Sequence, residues 1–206
     1  MTSRSLARRG WRLASLAVAF GLAMPGVAAV SSHWQRLISQ HDKTRLREWR
    51  NAWDQALTQA RNGGFAAQIA AEGVLLQPDS ALDRPDIPDG LYRCRLFKLG
   101  KAPISASPGF IAYPSARCRV GDGRLDVLEG EQRPGGRLFH YDDARLLLLG
   151  GMAVGDEQGT VRYGRDSQRD LLGLLDRVGP QRWRVAFPQP AWQSKLDVLE
   201  LVPEPK

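Results

Sequence analysis

The stretch GRLFHYDDARLLLLGG, residues 136–151, decides the architecture. Two runs of strand-forming residues flank Tyr141-Asp142-Asp143. So short a connection joins antiparallel neighbours, because parallel strands need a crossover of a dozen or more residues. The same texture extends in both directions. Runs of β-formers at 91–99, 116–120, 124–129, 136–141, 145–151, 159–164, 170–178, 182–187 and 194–202 alternate with turn residues. The turns are read at Gly121-Asp122-Gly123, Pro134-Gly135-Gly136, Asp156-Glu157-Gln158-Gly159, Gly179-Pro180 and Pro188-Gln189-Pro190. About nine sequential strands in so short a region close into a barrel or fold into a sandwich. The reading is an antiparallel β-meander over 91–203, a closed or partly closed barrel of lipocalin-like shape.

Upstream the texture changes. Residues 30–76 read as helical: Leu46, Trp49, Trp53, Ala56, Leu57 and Ala60 recur at spacings of three and four, with Asp42 as the expected N-cap and Asn62-Gly63-Gly64 as the stop. A shorter helix is expected over Phe65 to Glu72. The tryptophans at helical spacing read as a docking surface for the rest of the fold. Residues 77–90 carry Pro78, Pro85 and Pro88 and read as a linker. The class is therefore α+β, N-terminal helices packed on an antiparallel barrel. The long segment from Gly100 to Tyr113 is expected to cap the barrel end, a small added strand being the alternative.

The first 29 residues have the form of a secretory signal peptide. Arg4, Arg8, Arg9 and Arg12 precede an apolar run from Leu13 to Met24, and Val27-Ala28-Ala29 supplies small residues for cleavage. The run is too short to span a bilayer, which takes about 20 residues. The context of Arg8-Arg9 fits general secretion better than a twin-arginine signal. Losing those four of 29 basic residues and none of the 22 acidic ones takes the net charge from +7 to +3. A nucleic-acid partner is not expected on that balance. A periplasmic or secreted address follows, with no membrane span after cleavage. Cys94 and Cys118, the two cysteines of the chain, are expected to pair in an oxidising compartment. The closed loop should contribute about 3.5 kcal/mol on chain-entropy grounds.

Each cysteine sits in an Arg-Cys-Arg triplet, Arg93-Cys94-Arg95 and Arg117-Cys118-Arg119. On strands the neighbours of a cysteine point to the opposite face, so the pairing would gather four guanidinium groups. Two readings stand. The patch is a solvated face neutralised by Asp126, Glu129 or Glu131, or it is an anion site, because arginine forks suit carboxylate and phosphate. Asp156-Glu157 reads as a turn, with acid–base chemistry as its other use. No zinc-protease, paired-cysteine, serine-hydrolase or phosphate-loop motif is present, and neither metal nor cofactor is expected.

Several stretches together resemble a family of small exported bacterial proteins, domain of unknown function 4893. They are Tyr92-Arg93-Cys94-Arg95 with Lys98-Leu99-Gly100, Cys118, Gln132-Arg133-Pro134 with Gly136, Leu149-Gly150 through Gly155-Asp156-Glu157, and Tyr163-Gly164. Arg182-Trp183-Arg184 with Pro188 and Pro190, and Leu196-Asp197-Val198-Leu199-Glu200-Leu201, complete the match, and the helix from Asp42 to Ala60 is also similar. The resemblance implies no particular activity. It draws attention to shared polar positions, among them Gln132, Arg133, Asp156, Glu157, Tyr163 and Arg184. With Arg93, Arg95, Arg117 and Arg119 these are the candidate ligand-binding residues. The expected function is an exported binding or interaction module taking a small apolar or anionic ligand, or an envelope component. The alternative is an envelope-acting hydrolase using carboxylates near Asp156 and Glu157.

Overall fold

The computed structural model describes residues 33–103 and 105–205. The leader assigned to residues 1–29 lies outside the described residues. The chain forms β1 Gly90–Leu99, β2 Phe110–Ala112, β3 Ala116–Gly121, β4 Arg124–Val127, β5 Gln132–Asp142, β6 Arg145–Val154, β7 Asp170–Gly179, β8 Arg182–Pro188 and β9 Leu196–Pro203. Every strand pairs antiparallel with its neighbours, and β1 closes on β9 from Tyr92↔Pro203 to Leu99↔Leu196. The result is a closed eight-stranded barrel with β2 as an addition.

That addition answers a local need. β1 pairs with β3 only as far as Cys94↔Ala116, leaving the same edge of Phe97, Lys98 and Leu99 free, and β2 fills it. The 100–113 segment therefore supplies a short strand, where the sequence favoured a cap. Unpaired backbone at a buried edge is costly, and three ladder pairs remove that cost.

Alternation sorts the side chains. Tyr92, Cys94, Leu96, Cys118, Leu125, Leu148, Val185 and Leu199 point inward and form the lumen core. The outer faces of β5, β6 and β7 carry Phe139, Leu147, Leu149, Leu172 and Leu174, and those of β1, β8 and β9 carry Phe97, Ala186 and Val198. Strands such as Leu146–Leu149 are buried on both sides, which is why they read as unbroken leucine runs.

The N-terminal segment covers the outer apolar side. Helices α1 (Gln40–Arg47) and α2 (Trp49–Ala60) meet at Glu48, and α3 (Ala66–Ala71) follows a break at Gly64, where φ is +91°. Trp53, Ala56, Leu57 and Ala60 pack on Phe97, Leu99 and Val198, while Leu46 packs over Leu147 and Leu172. Each large side chain buried here contributes about 1.5–3 kcal/mol. The N-cap is Ser39, whose Oγ accepts from the Asp42 amide at 3.1 Å. Asp42, expected to cap, lies one turn into the helix and is buried against Arg45 at 2.7 Å.

Two other expectations are corrected. Residues 159–164 form a loop rather than a strand, because β6 and β7 already pair with each other from Arg145↔Asp176 to Gly151↔Asp170. Pro134-Gly135-Gly136 is strand rather than turn. Gly136 faces Gly150 so closely that a Cβ on Gly150 would lie 1.9 Å from the Gly135 carbonyl oxygen. The glycines serve close backbone approach.

The 77–90 segment runs beneath the barrel. Leu82 bridges to Arg177, the Trp183 indole donates to the Asp86 carbonyl at 3.1 Å, and Ile87 joins the lumen core. Tyr92 meets Trp183 edge-on at 6.1 Å and donates to the Pro88 carbonyl at 2.6 Å. This end of the barrel is plugged.

Candidate functional site

The other end holds a pocket on one side. A pocket of about 350 Å³ opens between the β2–β3 connection and the β4–β5 turn. Its floor is made by inward residues of the lumen, Cys94, Leu96, Val127 and Leu199, with Ala116 and Pro134 beside them. Tyr113 and Pro114 form one lip, and Glu129, Gly130 and Glu131 the other. Gln132 also lines the pocket, and its Oε1 is buried without a hydrogen-bond partner. A buried amide oxygen left unpaired costs roughly 1–3 kcal/mol, a cost the fold carries beneath the pocket wall.

Disulfide Cys94–Cys118 lies in this floor, with the two Cα atoms 6.0 Å apart. It pins β1 to β3 just where β1 changes partner from β3 to β2. Behind it, Lys98 and Asp197 form an inward ion pair at 2.8 Å, each about 1–2% exposed at the side chain, with the Ser194 hydroxyl donating to Asp197. Pro190, Ala191 and Trp192 lie over that pair. The pocket's polarity thus comes from its lip and Gln132, while its floor is apolar.

A second, open cleft of about 720 Å³ lies outside the barrel, between β4, β5 and the loop after β6. Arg133 holds that loop down by donating to the carbonyls of Gly130, Gly155 and Glu157 at 2.6–2.7 Å. Glu157 binds Arg169 and accepts from the Val154 amide at 2.9 Å. The Arg169 bond and that amide hold its carboxyl below the usual carboxylate range. A carboxylate kept ionised in this way is an anchor and a poor proton donor. Asp156 lies exposed in the turn at the cleft edge.

The sequence-selected arginines separate. Arg95 faces the helices, paired with Glu72 at 2.5 Å and Glu200 at 3.1 Å, its guanidinium 4.6 Å over the Phe97 ring. Arg117 reaches Glu204 at 3.3 Å, while Glu129 takes its backbone amide. Asp126 binds Arg124 rather than a cysteine neighbour. Arg93 and Arg119 are exposed on the uncovered outer face. Arg184 is buried, with donors taken by Asp176 and by the carbonyls of Val74, Leu75, Gln77 and Pro78. Tyr163 donates to Asp42 at 2.5 Å and accepts from the Ser39 amide, tying the loop after β6 to α1. Burial and that hydrogen bond push its phenol up to about 12. Of the selected residues, Gln132 and Cys94 line the pocket, and Arg119, Arg133, Asp156 and Glu157 line the outer cleft. Sequence reading missed Leu96, Tyr113, Pro114 and Pro134. The alternation Tyr92, Cys94, Leu96, Lys98 was the available signal for the first.

These features define a class: a disulfide-pinned, helix-clad antiparallel barrel with one plugged end and one pocketed end. The chain belongs to the family domain of unknown function 4893, whose family model matches residues 34–201. No curated protein and no solved structure matches the chain. Among the described residues, no helix is long and apolar enough to cross a membrane.

Proposed function

We propose that this protein is an exported binding module that takes a small, mainly apolar ligand bearing a hydrogen-bond donor into the open end of its barrel. The observation that carries the reading is the pocket itself. Its volume of about 350 Å³ falls within the range of small-molecule sites, and an apolar floor with a few polar groups at the lip is their usual composition. Glu129 and Glu131 are the exposed acceptors of the lining and favour a donor or cationic end at the lip. Support for the periplasmic or secreted address comes from the leader-like residues 1–29 and from the closed disulfide.

The test is titration with a neutral fluorescent naphthylamine, beside the variant Ala116→Phe. Ala116 lines the pocket, so a phenyl ring there fills it. Saturable binding of one probe per chain, lost in Ala116→Phe with the far-ultraviolet spectrum unchanged, is the expected result. Equal binding by both forms, or no saturable binding, overturns the reading.

A further inference from the structure

The helices clothe only part of the barrel. They cover the outer faces of β6, β7, β8 and β9 and the second half of β1. The outer faces of β3, β4 and the first half of β1 lie outside those apolar clusters, and five arginines stand on or beside them: Arg93, Arg117, Arg119, Arg124 and Arg137.

Their register is unusual. Arg93 lies directly opposite Arg117, and Arg124 directly opposite Arg137. Like charges at directly opposed positions destabilise a sheet, and two such pairs stand on one face. Asp126 stands directly opposite Arg119, and Asp156 and Glu157 lie across the outer cleft. Asp126 is taken by Arg124 at 2.8 Å, Glu204 reaches Arg117 at 3.3 Å, and Glu129 accepts from the Arg117 amide. Arg93, Arg119 and Arg137 have no carboxylate partner among the described residues.

Large apolar side chains stand among these charges. Leu91 is 40% exposed and lies directly opposite Arg119; Leu128 is 45% exposed, its amide bonded to the Arg117 carbonyl. A soluble polyanion would satisfy the arginines and leave the leucines in water. An anionic bilayer satisfies both, with phosphates meeting the guanidinium groups and the leucines entering the headgroup–acyl boundary.

We infer that the bare β1–β3–β4 face is a docking surface for an anionic phospholipid bilayer, held by the five arginines with Leu91 and Leu128 inserted between them. This surface is separate from the barrel pocket, and the inference stands whether or not the pocket takes a ligand.

The test is cosedimentation of the full chain with vesicles of pure phosphatidylcholine or of phosphatidylcholine mixed with phosphatidylglycerol. The double variant Arg93→Gln/Arg137→Gln is run alongside, so that any contribution of the N-terminus is common to both. Binding is expected to the phosphatidylglycerol vesicles alone, to fall roughly 30-fold in the variant, and to be lost in about 0.5 M NaCl. Leu91→Ser should weaken binding while leaving its salt dependence intact. The urea midpoint of the double variant should equal or exceed that of the parent, because each change removes a like-charge pair. Equal binding to both vesicle types, undiminished binding by the variant, or no binding to either overturns the inference. Retention by soluble polyphosphate without vesicle binding overturns it too, in favour of a polyanion partner.

Discussion

Arg184 on β8 and Asp176 on β7 stand directly opposite each other on the outer face of the barrel, joined by two hydrogen bonds of 2.7 and 3.0 Å. The guanidinium lies 4.9 Å from the centre of the Trp53 ring and collects the carbonyls that end the helical segment. One side chain thus fastens helix, linker and sheet together. Removing one partner of a buried pair strands the other charge, at about 3–5 kcal/mol. Arg184→Met is expected to lose stability on at least that scale in urea unfolding, and Arg184→Met/Asp176→Leu to recover only the part due to the stranded carboxylate, the carbonyls of Val74, Leu75, Gln77 and Pro78 staying without their donor in both. Equal loss in single and double variants would assign the effect to those carbonyls and to packing.

Deleting residues 30–76 should expose the outer apolar faces of β6 to β9, because Trp53, Leu57 and Leu46 are their cover. The truncated chain is expected to aggregate or to unfold at lower urea than the whole. A monomeric truncation with an unchanged midpoint would make the helices a separate module.

The disulfide should contribute about 2–4 kcal/mol. Cys94→Ala/Cys118→Ala is expected to shift the urea midpoint accordingly. Mass spectrometry of the exported protein under non-reducing conditions should find no free thiol.

Tyr163 and Tyr92 are both pushed up to about 12, Tyr92 by burial and the nearby Asp89. A folded-state value above the unfolded one means that this stabilisation is complete below about pH 10 and is lost as pH rises through about 12. Alkaline absorbance titration should show Tyr92 and Tyr163 ionising late, and Tyr163→Phe should remove one of these late steps. Glu157 has the opposite sign. Its depressed value makes its anchoring complete above the ordinary glutamate range and lost as pH falls below it. Hydrogen exchange in residues 155–169 should accelerate only in that acidic window.

Gly150→Ala is expected to prevent folding or cost more than about 3 kcal/mol, since its Cβ would overlap the Gly135 carbonyl. Gly159→Ala, with nothing within 4 Å of an added Cβ, is the matched control and should be neutral in thermal melting.

The barrel was legible because short connections force antiparallel neighbours and doubly buried strands print as leucine runs. Glycine misled at Gly135 and Gly136, where the residue that permits turns also permits two backbones to touch. Residues 159–164 had strand chemistry but no free edge to join. The four cysteine-flanking arginines were placed on the face opposite the cysteines; what alternation cannot convey is that β1 closes on β9 and that the helical segment lies over its second half, bringing Glu200 and Glu72 to Arg95. The pocket was hidden for a related reason. A cavity is the difference between the space the strands enclose and the volume their side chains fill, and only the second can be read residue by residue.

The ladder between β1 and β9 joins segments roughly a hundred residues apart, so the ring closes with the last strand of the chain. A polypeptide emerging from its N-terminus holds β1 with one bare edge until β9 arrives. The seam therefore acts as a check on completeness. A chain cut short before Leu196 leaves the β1 and β8 edges bare, margins that pair readily with other chains. Because the Cys94–Cys118 bridge binds β1 on its other side, β1 can be made rigid early and wait, already shaped, for its final partner.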